Sequence, residues 1–147
     1  MSKLYLDTGA LVKLYLVEPG TEFVQDKAEG ADCLPLNPLQ ELELRNALLA
    51  AHGRGWMDNN SLDRTMKNLD QDIEEGYFSR EIPDWLPLLK RASVLAKRHT
   101  PDLLCRTLDI LHVAAAEESE ADEMITGDQR QRKLCEAIGF PVSKIVI

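Results

Sequence analysis

Four acidic residues that lie far apart along the chain could do chemistry together. Asp7 and Asp128 each stand at the end of a short apolar segment that reads as a β-strand, and Glu43 and Asp109 each lie within a stretch of helical periodicity. Mg²⁺ and Mn²⁺ prefer carboxylate oxygens, and no matching cluster of lysines and arginines accompanies these acids. Because neighbouring carboxylates repel one another, the four acids predict a divalent-metal site where the fold brings them together.

Asp109 is the strongest candidate because its surroundings are apolar. In a predicted helix over 105–118, CRTLDILHVAAAEE, its neighbours on the helix surface are small or apolar except for His112. A buried carboxylate without a partner is costly and would take up a proton instead. We therefore expect Asp109 to be paired, capped or bound to a metal ion, and only Arg106 stands near enough in sequence to neutralise it.

Glu43 is predicted near the middle of the buried face of a helix over 38–52. The residues at 46, 47 and 50 are small and would let another element approach it closely. A salt bridge from Glu43 to a distant arginine is the alternative explanation for a buried acid at this position.

Asp7 and Asp128 have a purely structural alternative, because each also precedes a predicted helix. An aspartate at such a position caps the helix by accepting a backbone N–H hydrogen bond, and for either residue taken alone the cap is the better explanation. The two roles are compatible, because a capping aspartate at the end of a parallel strand already points into the crevice where α/β domains bind ligands.

The order of predicted elements indicates an α/β domain with a mostly parallel sheet, since strands and helices alternate. Ser61 is the predicted N-cap of the fourth helix. The predicted strands cover 3–7, 32–36, 123–126 and 142–147, with a short extended stretch near 77–82, and the predicted helices cover 8–18, 21–29, 38–52, 61–76, 84–100, 105–118 and 129–138.

Composition narrows the class of protein. The chain of 147 residues is predicted to form one domain over 1–147, and its net charge of −8 weighs against a protein that simply coats nucleic acid. Metal ions could still supply positive charge at a nucleic-acid site. Three widely spaced cysteines argue against a disulfide framework and a zinc knuckle, and neither a membrane span nor a signal peptide is evident, so we expect a cytoplasmic protein.

Four blocks of the chain resemble, in order and spacing, the motifs of PIN-domain proteins, and most closely those of the VapC-type toxins of toxin–antitoxin pairs. The acids of those motifs fall on the same Asp7, Glu43, Asp109 and Asp128. The blocks are YLDTGALVKLY (5–15), LQELELRNALLAA (39–51), RTLDILHVAAA (106–116) and MITGDQRQRKLCEAIGFPV (124–142).

The resemblance implies a Rossmann-like PIN fold, a mostly parallel central sheet flanked by helices, and a metal-dependent endoribonuclease that uses Mg²⁺ or Mn²⁺. It further implies an RNA substrate, a cognate antitoxin and a homodimer. Thr8 and Thr126 fall where the family often has a hydroxyl near the site, whereas Gly9 replaces a common serine. His112 matches a histidine of this branch, for which a core position bonded within the fold is favoured over a catalytic role.

RNA would need cations around the acidic centre, and the candidates are Lys13, Arg45, Arg106, Arg130 and Arg132. An alternative function is a catalytically inactive PIN-like module that binds RNA or a partner protein without cutting. A phosphatase or receiver domain is disfavoured because Gly9 stands where such a phosphatase has its second acid, and a receiver would have only Lys144 as its late lysine.

Overall fold

All strands of the protein pair in parallel in the computed structural model, which describes residues 2–147. The strands are β1 (Leu4–Leu6), β2 (Pro35–Leu36), β3 (Ser79–Arg80), β4 (Glu123–Thr126) and β5 (Val142–Lys144). β4 lies between β1 and β5 in one sheet, β2 pairs with β3, and a bridge between Lys3 and Cys33 connects the two sheets. The predicted α/β architecture with a parallel sheet flanked by helices is therefore confirmed.

Helices connect these strands, as parallel pairing requires, because the chain must cross back before the next strand can run in the same direction. Within residues 2–147 they are α1 (Thr8–Val12), α2 (Thr21–Glu29), α3 (Pro38–Gly53), α4 (Asn59–Glu74), α5 (Trp85–Leu103), α6 (Thr107–Glu118) and α7 (Gln129–Ile138). No helix in this part of the chain combines the length and the apolar character that a membrane span requires.

The sheet separates two apolar cores, because alternate residues of a strand point to opposite faces. Leu4 and Leu6 of β1 pack with α1 to α4, whereas Tyr5 lies in the second core with α5 to α7. Ile125 and Met124 of β4 divide between the cores in the same way. The sheet is therefore covered on both faces, and only its strand ends are open to form a site.

The first helix is shorter than predicted. The prediction extended to residue 18, but α1 ends at Val12 and the next backbone N–H groups turn back by three residues: Lys13 to Ala10, Leu14 to Leu11 and Tyr15 to Val12. Such bonds tighten the chain out of the α-helical path before Pro19, which disfavours helix at the residue that precedes it.

Other predicted boundaries are also wrong by a few residues. α4 begins after Asp58, whose side chain accepts from the Ser61 backbone N–H at 2.8 Å, so Ser61 lies inside the helix rather than at its cap. The helix predicted over 84–100 continues to Leu103 as α5, and the helix predicted over 105–118 begins at Thr107 as α6. The predicted strands over 32–36, 77–82 and 142–147 contain the shorter β2, β3 and β5.

The buried row of α3 can be tested by comparing two adjacent leucines. Leu48 is fully buried in the first apolar core, whereas its neighbour Leu49 is 51 % exposed. We expect Leu48→Ala to lower the free energy of unfolding by about 2–5 kcal/mol through lost burial and the cavity left behind. Leu49→Ala is the control and should change it by less than about 0.5 kcal/mol in a urea titration. Equal losses would contradict this orientation of α3.

Candidate active site

The four predicted acids line one pocket of about 620 Å³. It opens at the carboxyl ends of β1 and β4, the edge at which parallel α/β sheets bind ligands. Asp7 and Asp128 follow the two strands, Glu43 comes from α3, and Asp109 comes from α6. The pocket is also lined by three of the predicted supporting residues, Thr8, Arg106 and His112. The fourth, Thr126, forms a hydrogen bond with Asp7.

Asp7 is buried and accepts two hydrogen bonds. Its Oδ1 accepts from the Ala10 backbone N–H at 2.8 Å, which caps α1, and its Oδ2 accepts from the Thr126 hydroxyl at 2.5 Å. Burial raises the pKa of Asp7 and the charge of Asp128 adds to that increase, although both hydrogen bonds oppose it. The predicted cap is therefore present on an acid that also faces the pocket.

Asp128 caps α7 in the same manner but is less buried. Its Oδ1 accepts from the backbone N–H groups of Arg130 at 2.7 Å and Gln131 at 3.2 Å. Among the described residues, its Oδ2 accepts no hydrogen bond and thus has lone pairs for a ligand in the pocket.

Asp109 has hydrogen-bond partners in the chain, in agreement with the expectation that it would be paired, capped or bound to a metal ion. Because α6 begins at Thr107, Asp109 lies in the first turn, where its Oδ2 accepts the Arg106 backbone N–H at 3.0 Å. Its Oδ1 accepts from Gln131 Nε2 at 3.3 Å. Arg106 lines the pocket, and its contact with Asp109 is this backbone hydrogen bond.

Glu43 lies at the edge of the buried face of α3. The prediction that it lies near the middle of that face is wrong. The buried row of this helix is Gln40, Leu44, Leu48 and Ala51. Glu43 Oε1 accepts a hydrogen bond of 2.8 Å from the Thr8 hydroxyl and contacts His112 Nε2, so its partner is a histidine rather than the alternative, a distant arginine. Burial would raise the pKa of Glu43, but the hydrogen bonds with His112 and Thr8 outweigh it and lower that pKa.

His112 is a core histidine bonded within the fold. It is buried on α6, where its Nδ1 lies 2.9 Å from the Tyr5 hydroxyl and its Nε2 faces Glu43. The structure therefore places it between the second apolar core and the pocket.

The donor set of this pocket suits Mg²⁺ or Mn²⁺, which bind carboxylate oxygens. Within residues 2–147, no group of three or more His, Cys, Asp or Glu side chains already has the arrangement of a metal-binding site. Each carboxylate instead accepts hydrogen bonds from the chain itself, which offsets the repulsion among the four charges. Glu43 Oε2 and Asp128 Oδ2 accept none from the described residues, so the set fits an ion by chemistry and has oxygens available to bind one.

The predicted RNA-binding cations divide into those that line the pocket, Lys13 and Arg106, and those that do not, Arg45, Arg130 and Arg132. Lys13 lines the pocket but pairs with Glu18 at 2.7 Å, and Arg45 pairs with Asp70 at 2.7 Å on the surface outside it. Arg106 lines the pocket, and Arg130 lies in the first turn of α7.

A second cavity of about 290 Å³ adjoins the acidic pocket and shares Gly127 and Asp128 with it. Two cations line it: Arg132, whose nearest carboxylate oxygen in a salt bridge is 3.8 Å away, and Lys144 at the end of β5. The buried Nε of Arg132 has no hydrogen-bond partner in the described chain. This cavity therefore offers positive charge directly beside the carboxylates.

Sequence reasoning missed the amides and the tyrosine that support the acids. Gln131 joins Asp109 to α7, and Tyr5 and Asn37 form a hydrogen-bonded pair behind His112. Gln131 could have been found, because it follows Asp128 by three residues and so lies on the same side of α7. Tyr5 carries no comparable signal, since it occupies an ordinary core position of a strand.

Comparison with known proteins shows the family and the fold. The PIN domain family model matches residues 4–137. No curated protein sequence shows significant similarity to the chain.

Three solved structures resemble the chain over most of its length. FitAcB from Neisseria gonorrhoeae is 16% identical with a TM-score of 0.65, and the alignment covers 95% of each chain. A toxin–antitoxin complex from Klebsiella pneumoniae is 16% identical with a TM-score of 0.64, over 98% of this chain and 99% of the other. PAE2754 from Pyrobaculum aerophilum is 18% identical with a TM-score of 0.61, over 96% and 83%. At these identities the likeness shows a shared fold, and the match of the family model shows that the chain belongs to the PIN domain family.

Proposed function

We propose that this protein is a Mg²⁺- or Mn²⁺-dependent endoribonuclease. The observation that carries the proposal is the convergence of Asp7, Glu43, Asp109 and Asp128 from four separate elements on one pocket. PIN domains are generally nucleases, which agrees with that chemistry. A carboxylate-lined pocket needs a divalent ion before an anionic phosphodiester can enter it.

We also propose that the protein is the toxin of a toxin–antitoxin pair, acts in the cytoplasm and forms a homodimer. One of the structures that share its fold is a toxin–antitoxin complex. That likeness supports an antitoxin protein as the partner, and a small open reading frame beside its gene is the genomic arrangement expected for such a pair.

The bound metal would lower the pKa of a water molecule and stabilise charge on the phosphate oxygens. Asp7 and Asp109 would hold it, and Asp128 and Glu43 would complete the site. Thr126 fixes the Asp7 carboxylate, Gln131 fixes Asp109, and Thr8 fixes Glu43.

The expected reaction is an in-line attack of water on the RNA phosphodiester, in which the 3′-oxygen leaves and a 5′-phosphate product remains. Glu43 and Asp128 line the pocket, and their Oε2 and Oδ2 atoms, which accept no hydrogen bond from the described residues, would orient the water and receive its proton.

The alternative function is an inactive PIN-like module that binds RNA or a partner protein. One observation favours this alternative: every acid of the site already accepts a hydrogen bond from the chain. The charges of the four carboxylates are therefore stabilised in part without a metal ion. The presence of all four acids argues against the alternative, since binding alone does not require them.

We expect Asp109→Asn to fold and to lose cleavage, because the neutral amide is a poor metal ligand. Cleavage of total RNA and of a labelled oligonucleotide would be measured with Mg²⁺, with Mn²⁺ and with EDTA, and the cut ends would be mapped. Asp70→Asn is the matched control, since Asp70 is an exposed acid outside the pocket. Retained cleavage by Asp109→Asn would show that Asp109 is not a metal ligand. A wild type that cuts no RNA with either metal would refute the nuclease and favour the alternative function, the inactive binding module.

We expect Asp7→Asn to raise the melting temperature of the metal-free protein. Since the pKa of Asp7 is raised in the folded chain, its ionised carboxylate opposes folding at neutral pH, and asparagine caps helices equally well. A gain of about 1 kcal/mol corresponds to roughly 2–4 °C for a domain of this size. Mg²⁺ or Mn²⁺ should raise the melting temperature of the wild type but not of this variant. A wild type whose melting temperature stays flat across millimolar metal would argue against the carboxylate cluster.

We expect Arg132→Gln with Lys144→Gln to weaken RNA binding and its dependence on salt. Each lost phosphate contact reduces the slope of log affinity against log salt by about 0.7 for a single strand, so the double variant should lose roughly 1.4. Anisotropy of a labelled oligonucleotide would be measured in the Asp109→Asn background, which keeps the RNA intact. Arg45→Gln is the control because Arg45 already pairs with Asp70. An unchanged slope would exclude the second cavity from RNA binding.

A further inference from the structure

A chain of buried hydrogen bonds runs from the start of α3 to the acidic pocket. Its members are Gln40, Asn37, Tyr5 and His112, each at most 5 % exposed, and it ends at Glu43. The chain crosses from α3 through β1 to α6 and returns to α3. No part of the metal chemistry proposed above requires these groups, so their burial calls for an explanation.

The direction of the chain is set at the first turn of α3. The Gln40 backbone N–H donates to Asn37 Oδ1 at 2.8 Å, so the amide nitrogen of Asn37 must face Tyr5, 3.3 Å from its hydroxyl oxygen. Gln40 in turn is oriented by the Asn37 backbone N–H, which donates to its Oε1 at 2.8 Å, and its Nε2 donates to the Leu6 carbonyl at 2.8 Å. Backbone groups therefore orient both amides.

The orientation of Asn37 decides the tautomer of His112. Since the Tyr5 oxygen accepts from Asn37, its own hydrogen is directed to His112 Nδ1, 2.9 Å away. With Nδ1 as the acceptor, the ring proton is on Nε2, from which it is donated to Glu43 Oε1. The opposite tautomer would leave the Tyr5 hydrogen unpaired and direct a ring lone pair at a carboxylate, and both are costly in a buried site.

We propose that Tyr5 and His112 are positioning residues for Glu43. His112 and Thr8 both donate to Oε1, and this pair of donors holds the carboxylate so that Oε2 is directed into the pocket. The proposal rests on the proposed function to the extent that Glu43 serves a divalent metal there. It assigns to the core of the fold the task of aiming one acid of the site.

A structural role alone does not account for this arrangement. Tyr5 lies in an apolar cluster formed by α5, α6, α7 and the sheet, and the buried His112 ring contacts it, so that hydrocarbon side chains of similar volume would pack there without the desolvation of polar groups. Every polar atom of the pair has a partner, and the last partner is an acid at the pocket. Outer partners that orient ligands commonly affect metal affinity by about 10–100-fold.

The tautomer can be observed directly by ¹⁵N NMR of the histidine rings, which distinguishes a protonated Nε2 from a protonated Nδ1. We expect His112 of the metal-free wild type to carry its proton on Nε2, and Tyr5→Phe to move the ¹⁵N resonance of Nδ1 towards that of a ring nitrogen that accepts no hydrogen bond, because the variant removes the donor to Nδ1. The sequence has three histidines, so His52→Gln and His99→Gln together assign the signals of His112, and His52→Gln is the matched control because His52 bonds to the Met57 carbonyl outside the pocket. A His112 that is protonated on Nδ1 in the wild type, or whose Nδ1 resonance is the same in Tyr5→Phe as in the wild type, would overturn the proposal.

The contribution to metal binding is tested by two amides of different length. In His112→Gln the amide nitrogen can occupy the place of Nε2 and still donate to Glu43, whereas the shorter amide of His112→Asn can only accept from the Tyr5 hydroxyl with its oxygen and does not reach Glu43. Both variants remove the ring and should lose similar stability in a urea titration. We expect His112→Asn to weaken Mn²⁺ affinity by about 10-fold, and His112→Gln by less than about threefold, measured by calorimetry.

The outcomes separate this inference from the proposed function. Equal losses of Mn²⁺ affinity in the two amide variants would show that His112 only fills space, and the positioning role would be wrong while the metal site stood. A wild type that binds no Mn²⁺ but carries the Nε2 proton would refute the metal-dependent function and keep the orientation of Glu43 by Tyr5 and His112.

Discussion

Repulsion among carboxylates is the constraint on which the rest of this structure depends. Asp7, Glu43, Asp109 and Asp128 share one pocket in a chain whose net charge is already −8. The fold compensates for this with hydrogen-bond donors instead of cations: backbone N–H groups at three helix starts, two threonine hydroxyls, an imidazole and an amide. Neutral donors stabilise each charge without cancelling it, so the pocket retains the negative potential that attracts a divalent ion.

Helix starts supply many of these donors, which explains why three of the acids also serve as local structure. Asp7 and Asp128 cap α1 and α7, and Asp109 accepts the backbone N–H that precedes α6. The positive end of each helix dipole therefore faces the pocket. A substitution of one of these acids acts on helix and site together, so that stability and metal binding have to be measured separately for each variant.

Much of the fold and the identity of the acids could be predicted from the sequence. Asp7 and Asp128 were visible because parallel strands end at one edge, and the blocks around all four acids resemble a known family. What could not be predicted depended on helix boundaries. The start of α6 at Thr107 instead of 105 puts Asp109 in the first turn, where it accepts the Arg106 backbone N–H, and the buried row of α3 is the one around Leu44, which puts Glu43 at its edge. The partner of Glu43 depended on tertiary packing, because α3 and α6 meet only in the folded chain.

The hydrogen bond from Thr126 to Asp7 joins residues that are 119 positions apart, and this separation has a consequence for synthesis. A ribosome completes β1, α1 and α3 long before it reaches β4, so the first acids of the pocket emerge without the hydroxyl that holds Asp7 and without Asp128. Prematurely terminated products that lack β4 and α7 cannot assemble the pocket. Assembly of the pocket therefore has to wait until β4 and α7 have been synthesised.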